Sequence, residues 1–139
     1  MSVIKKKAMN KDSQALISDL IILANADNKV TNSEYDFIMR IAKRMHVSAE
    51  AVDALFKSPL PSKTDFTEIE RITHFYKLVL LMNVDRETHS NEVYVIKDFG
   101  LKMGIRPGAI DQVLLEMEKH EDKIIPPQQL IEIFRAYYN

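Results

Sequence analysis

A chain of 139 residues with 46 % hydrophobic and 28 % charged residues has the size and composition of an ordinary globular domain, which argues against disorder. The formal net charge of -1 lacks the basic excess that nucleic-acid binding requires. Cysteine is absent, which excludes disulfides, a thiol nucleophile and cysteine-ligated zinc. No apolar run approaches the ~20 residues of a membrane span, and none follows the N-terminal lysines as in a signal peptide. We therefore expect a cytoplasmic protein.

The first half of the chain predicts three amphipathic helices. The first begins at Asp12 or Ser13, residues that cap helices well, and the lysines before it are expected to form a frayed end. Its broad apolar face runs as far as Ala24, where an acidic turn follows. The second helix carries an apolar stripe formed by Phe37, Ile38, Ile41, Ala42 and Met45. Ser48 then caps a short third helix.

The second half of the chain predicts four more helices. It follows a connection rich in proline and serine, residues 57–63, which is too short to separate independent domains. A fourth helix begins at Asp65 or Thr67, and a fifth ends before Gly104, which suits a left-handed position. Pro107 suits the first turn of a sixth helix, and a proline pair at 126–127 begins the last. No segment alternates as a strand does, so we predict an all-α fold of about seven helices.

The two halves repeat one pattern at an offset of 58 positions. This offset pairs identical polar residues at both turns: Asn25 with Asn83, Asp27 with Asp85, and Glu34 with Glu92. Apolar coincidences are expected between helices in phase, whereas matching polar residues at turns are not. We therefore predict a single domain over residues 1–139, with repeated three-helix units at about 12–57 and 65–120 and a C-terminal helix.

The acidic residues of these turns form the candidate site. Asp27 follows the first helix and Glu34 lies in the first turn of the second, so a tight hairpin could bring both carboxylates to one hard cation such as Ca²⁺. The alternative is structural, with Asp27 closing the turn and Glu34 completing a capping box with Thr31. In the second unit His89 replaces that threonine and cannot complete the box, yet Glu92 is present. Both interpretations stay open.

Neither an EF-hand nor a catalytic centre is indicated. The first turn departs from an EF-hand loop at its third, sixth and twelfth positions, which are Lys29, Asn32 and Ile38. No nucleophile–base pair is visible, so we expect a protein without enzymatic activity. The competing hypothesis is an enzyme of hydrolase type whose carboxylates, distant in sequence, converge in the fold.

The first turn and its flanks resemble the TerB-like family, which includes the tellurite-resistance protein TerB and the N-terminal domain of some membrane-anchored J-domain cochaperones. The resemblance rests on residues 23–34, Leu-Ala-Asn-Ala-Asp-Asn-Lys-Val-Thr-Asn-Ser-Glu, and on 45–48, Met-His-Val-Ser. The second unit is similar over residues 85–92 and 103–105. The chain departs from the family where Asn28 and Arg86 replace a turn glycine and His46 replaces the glycine after the second helix.

This resemblance implies an all-α module without catalysis that serves tellurite or stress responses. It also implies that four acids bind metal: Asp27, Glu34, Asp85 and Glu92. We expect a protein partner of unknown identity, no nucleic-acid partner and no membrane insertion, while recruitment to a membrane complex stays open. No cofactor is certain, a divalent cation such as Ca²⁺ being the candidate. A purely structural interaction domain without metal is the other alternative.

Overall fold

The structure, a computed structural model, describes residues 2–63, 65–84 and 90–138. These residues form seven α-helices and one 3₁₀ turn without any strand, so the all-α prediction is confirmed. None of the helices within the described ranges combines the length and hydrophobicity needed to span a membrane. The chain divides into two compact units, Met1–Lys63 and Thr64–Asn139, and the single domain over residues 1–139 stays a prediction.

The first unit contains α1 (Ser2–Ala24), α2 (Asn32–Arg44) and α3 (Ala49–Lys57). Each of these helices contacts the other two, so they share one core. Fully buried apolar side chains come from all three: Ile17, Leu20, Leu23, Ile38, Ala42 and Val52. The predicted start of α1 at Asp12 or Ser13 is wrong, and the lysine triplet lies inside the helix. Residues 2–11 contain no glycine or proline that would stop a helix, so it begins earlier.

The connection after α3 runs back along α1 within the first unit. The Leu60 N–H donates to Ser18 Oγ at 3.0 Å, and the Ser62 hydroxyl donates to Asp19 Oδ1 at 2.7 Å. Ser18 and Asp19 are buried, so these bonds satisfy polar groups that would otherwise be costly to enclose. The connection is therefore an ordered part of the first unit.

The second unit contains α4 (Glu68–Met82), α5 (Ser90–Lys102), α6 (Pro107–Glu118) and α7 (Pro127–Tyr138). Each helix contacts the next, and α7 also contacts α4. The core is fully buried at Phe75, Leu78, Leu81, Ile96, Ala109 and Val113. Thr67 begins α4 through a capping box with Glu70, which selects one of the two predicted starts. Pro107 lies in the first turn of α6, as predicted.

The helix boundaries repeat with the offset found in the sequence. Helices α1 and α4 end at Ala24 and Met82, α2 and α5 cover Asn32–Arg44 and Ser90–Lys102, and α3 and α6 begin at Ala49 and Pro107. Each of these pairs is separated by 58 positions. These helix ends and starts therefore lie in the same sequence register in both units.

Candidate functional site

The first acidic turn is a short 3₁₀ helix, Asn25–Asp27, between α1 and α2. Asn28 follows in the left-handed conformation with φ of 60°, and its N–H donates to the Asn25 carbonyl at 2.8 Å. Asparagine tolerates this conformation better than most residues other than glycine. The replacement of the usual turn glycine by Asn28 therefore preserves the turn.

Glu34 belongs to the cap of α2. Its N–H donates to Thr31 Oγ1 at 3.1 Å, and the Thr31 N–H donates to Glu34 Oε1 at 2.9 Å. The predicted capping box is thus confirmed. Only 4 % of the Glu34 surface is exposed. One carboxylate oxygen of Glu34 is therefore committed to the backbone inside the first unit, where the helix N-terminus favours its negative charge.

Asp27 lies in a different environment from Glu34. It ends the 3₁₀ turn and is exposed, whereas Glu34 is buried beneath the cap. The carboxylate of Asp27 is accessible to a cation, and that of Glu34 is enclosed. Their convergence on one ion stays a prediction.

The second acidic turn repeats the buried glutamate. Glu92 lies in the first turn of α5 with 1 % of its surface exposed, so the enclosed glutamate occurs at the same position in both units. Asp85, the fourth predicted metal ligand, lies outside the described residues, as do Arg86 and His89. The pairing of Asp85 with Glu92 therefore also stays a prediction.

No larger ligand cluster accompanies the described acids. Within residues 2–63, 65–84 and 90–138, no three histidine, aspartate or glutamate side chains are grouped so that they could hold a metal ion.

An open groove of about 850 Å³ on the first unit was missed by the sequence analysis. We call it the α2–α3 groove, since it follows α2 beyond its end to the first residue of α3. Its lining residues are Asp36, Met39, Arg40, Lys43, His46, Val47, Ser48 and Ala49. The signal in the sequence was the three-residue spacing of Arg40 and Lys43, which places both side chains on one side of α2, with His46 following just beyond the end of the helix.

Two titratable groups of α4 are perturbed by their surroundings in the second unit. The Tyr76 hydroxyl donates to the Ile125 carbonyl at 2.8 Å. Burial raises the pKa of Tyr76, and the negative charge of Asp122 adds to this effect. Burial lowers the pKa of Lys77. The Tyr76 hydrogen bond fixes the segment that precedes α7, which is a structural role.

The described residues form an all-α protein with a repeated helical hairpin. In each hairpin, the first turn of the second helix contains a buried glutamate. Residues 1–57 match the family model described as tellurite resistance protein TerB. The match contains the first acidic turn and ends with the last residue of α3. The TerB-like assignment made from the turn residues is thereby confirmed over this part of the chain. No curated protein and no solved structure matches the chain significantly.

Proposed function

We propose that the chain is a cytoplasmic TerB-like module without enzymatic activity, which binds a partner protein in a tellurite or stress response. The TerB match over the first unit supports the cellular context. Support for partner binding comes from the second unit, where apolar side chains are exposed on two adjacent helices.

The observation that carries partner binding is an apolar surface on α5 and α6. Tyr94 and Leu101 lie two turns apart on α5 and are 77 % and 52 % exposed. Lys97, between them, forms an ion pair with Asp111 of α6 at 3.9 Å, and Leu115 lies one turn beyond Asp111 with 59 % exposed. We call Tyr94, Leu101 and Leu115 the α5–α6 face. Grouped apolar side chains of this kind mark interaction surfaces, and tyrosine is enriched among residues that dominate binding energy.

Affinity capture with variants tests this proposal. The wild-type protein, tagged and used as bait in native lysate, should retain a specific partner. The variant Tyr94→Ser/Leu101→Ser/Leu115→Ser should lose it, because the apolar contacts are removed without changing the net charge. Ile124→Ser serves as the control, since Ile124 is also exposed but precedes α7 and lies apart from the face in sequence. Equal capture by wild type and the triple variant would contradict the proposal.

Cation binding at the acidic turns is a second candidate function. It is favoured by the exposure of Asp27 on a turn within the TerB match, where a hard cation could recruit carboxylate, carbonyl and water oxygens. The proposed ligands are Asp27, Glu34, Asp85 and Glu92. Because Glu34 and Glu92 are enclosed, a bound ion would have to reach buried carboxylates, and at Glu34 it would have to do so without breaking the capping box with Thr31.

A further inference from the structure

We propose that the α2–α3 groove binds an acidic segment of the partner protein, with an apolar side chain of that segment on the groove floor. This inference rests on the proposed partner-binding function and gives the chemistry of the partner. The occupant is an acidic peptide segment that carries spaced aliphatic residues.

The floor of the groove is apolar. Val47 is buried, Met39 is half-buried, and Ala49 extends the apolar lining at the first residue of α3. A volume of about 850 Å³ accommodates several side chains of a bound segment. Methionine adapts its shape to different apolar partners, because its side chain is unbranched and flexible. The floor therefore suits an aliphatic residue of a peptide.

The rim of the groove carries basic side chains that are free to meet a ligand. Arg40, Lys43 and His46 are exposed, and none of them forms an ion pair or a side-chain hydrogen bond with any residue that the structure describes. Five lysines elsewhere in the described residues are paired with carboxylates: Lys63, Lys97, Lys102, Lys119 and Lys123. Asp36 is the acidic residue among the described residues that line the groove. The rim is thus positive overall and complementary to carboxylates.

The second unit shows that the scaffold does not require these basic residues. At an offset of 58 positions it has Asp98 in place of Arg40, Leu101 in place of Lys43 and Gly104 in place of His46. A basic residue in the last turn of a helix is favoured by the helix dipole, and Lys102 meets that preference in α5. Lys43 and Arg44 both occupy the last turn of α2, and Arg40 lies a turn earlier. The basic rim is therefore found in the first unit and not in the second, and it contains more basic residues than the helix dipole accounts for.

Fluorescence anisotropy with a labelled synthetic peptide of alternating glutamate and leucine residues tests the groove directly. The wild-type protein should bind this peptide, and added salt should weaken binding because the contacts are charged. Arg40→Gln/Lys43→Gln should weaken binding roughly tenfold, since two rim charges are lost. Lys119→Gln/Arg135→Gln removes the same charge from exposed positions of the second unit and should change binding by less than about twofold. Circular dichroism should show unchanged helicity in both variants, which replace exposed residues.

Several outcomes would contradict the proposal that the α2–α3 groove binds an acidic segment. These are equal losses in the two double variants, no binding by the wild type, or equal binding of a peptide with glutamine in place of glutamate. Tighter binding to inorganic phosphate or to phosphatidylserine vesicles than to the peptide would also reject it. If the peptide fails while the α5–α6 face variant loses its captured partner, only the groove proposal falls. If the peptide binds through Arg40 and Lys43 but the α5–α6 face variant still captures the partner, the proposal for the α5–α6 face is rejected and the groove proposal is retained.

Discussion

His46 and Gly104 occupy the same left-handed backbone position in the two units, with φ of 61° and 86°. Each follows the second helix of its unit and allows the same terminal bond. The Val47 N–H donates to the Ala42 carbonyl at 2.8 Å, and the Ile105 N–H donates to the Gly100 carbonyl at 2.9 Å. This is the Schellman arrangement that glycine usually provides. Histidine at this position costs conformational energy that glycine avoids.

We predict that His46→Gly stabilises the protein by about 0.5–1 kcal/mol, because glycine adopts the left-handed conformation without strain. This gain is partly offset by the greater conformational freedom of glycine in the unfolded chain. Urea denaturation followed by circular dichroism measures the change. Gly104→Ala is the reciprocal variant and should lose about 1 kcal/mol. The nearest atoms to a Cβ there would belong to Arg71, at 3.8 Å, which is ordinary van der Waals contact, so the backbone conformation is the cause. A less stable His46→Gly protein would contradict this account.

At the contact between α5 and α6, one residue is smaller and its neighbour is larger than the corresponding two residues of the first unit, an arrangement that we call the volume exchange. A Cβ on Gly100 would lie 2.6 Å from Ile110 Cδ1, 3.0 Å from Ile110 Cγ1 and 3.2 Å from Phe75 Cε1, so a side chain there requires Ile110 to shift. At the corresponding positions of the first unit are Ala42 and Val52, which are both buried. The larger isoleucine thus accompanies the smaller glycine, and the smaller valine accompanies alanine.

We therefore predict that Gly100→Ala destabilises the protein by about 1 kcal/mol, because overpacking outweighs the gain of about 1 kcal/mol in helix propensity. In the background of Ile110→Val, the same Gly100→Ala change should cost less, because the contact with Cδ1 is removed while Cγ1 at 3.0 Å and Phe75 Cε1 at 3.2 Å remain close. Urea denaturation of the four proteins in this cycle gives the coupling energy. An equal cost of Gly100→Ala in the two backgrounds would disprove the volume exchange.

The Tyr76 hydrogen bond predicts an alkaline dependence of stability. Tyr76→Phe should cost about 1 kcal/mol at neutral pH through loss of the bond to Ile125. Because the folded pKa of Tyr76 is raised above its ordinary value of 10.0, ionisation is opposed in the folded state. The stabilising contribution of Tyr76 is therefore complete below pH 10 and is lost as the pH rises through the higher folded pKa.

Urea denaturation of wild type and Tyr76→Phe between neutral pH and about pH 11 measures this effect. The difference in unfolding free energy between them should shrink above pH 10, since only wild type can ionise at this position. The comparison cancels the other tyrosines and lysines, which both proteins share. A difference that is constant over the whole range would remove Tyr76 as a source of pH dependence.

Features governed by neighbouring residues were predicted well from the sequence. The Thr31–Glu34 box, the Ser48 cap and the left-handed Gly104 each depend on a few adjacent positions, and the structure has all three. The start of α1 was misplaced because Asp12 can cap a helix but cannot end one that good helix formers continue. The α2–α3 groove was missed because its lining depends on the path of the chain from α2 into the start of α3, and periodicity within one helix carries no such information.

The candidate site shows the same limit. Glu34 could be assigned to a cap from its spacing, but its enclosure follows from packing within the first unit. The exposure of Asp27 likewise depends on the path of the 3₁₀ turn, which no sequence motif specified. The candidate acids could therefore be identified from the sequence, whereas the difference between the exposed Asp27 and the buried Glu34 required the three-dimensional structure.

The last prediction concerns divalent cations and the first turn. If Asp27 and Glu34 bind Ca²⁺ or a similar ion, the wild-type protein gains stability as RT ln(1 + [L]/Kd), which is about 2.7 kcal/mol at a hundredfold excess over Kd. Asp27→Asn/Glu34→Gln should lose that gain. If these acids serve only the turn and the cap, the double variant should cost about 1 kcal/mol whether EDTA or ions are present, because glutamine can still accept the Thr31 N–H.

Thermal melts of three proteins with EDTA and with each ion distinguish these outcomes. The third protein, Asp85→Asn/Glu92→Gln, is the internal comparison, since Arg86 and His89 bring positive or ionisable groups beside the second turn. Repulsion between Arg86 and a cation should make that turn the weaker site, so most of the ion response should survive in this variant. Loss of the response only in Asp27→Asn/Glu34→Gln would assign the ion to the first turn. Identical responses in all three proteins would exclude both turns as cation sites, and Glu34 would then act solely as the buried half of its capping box.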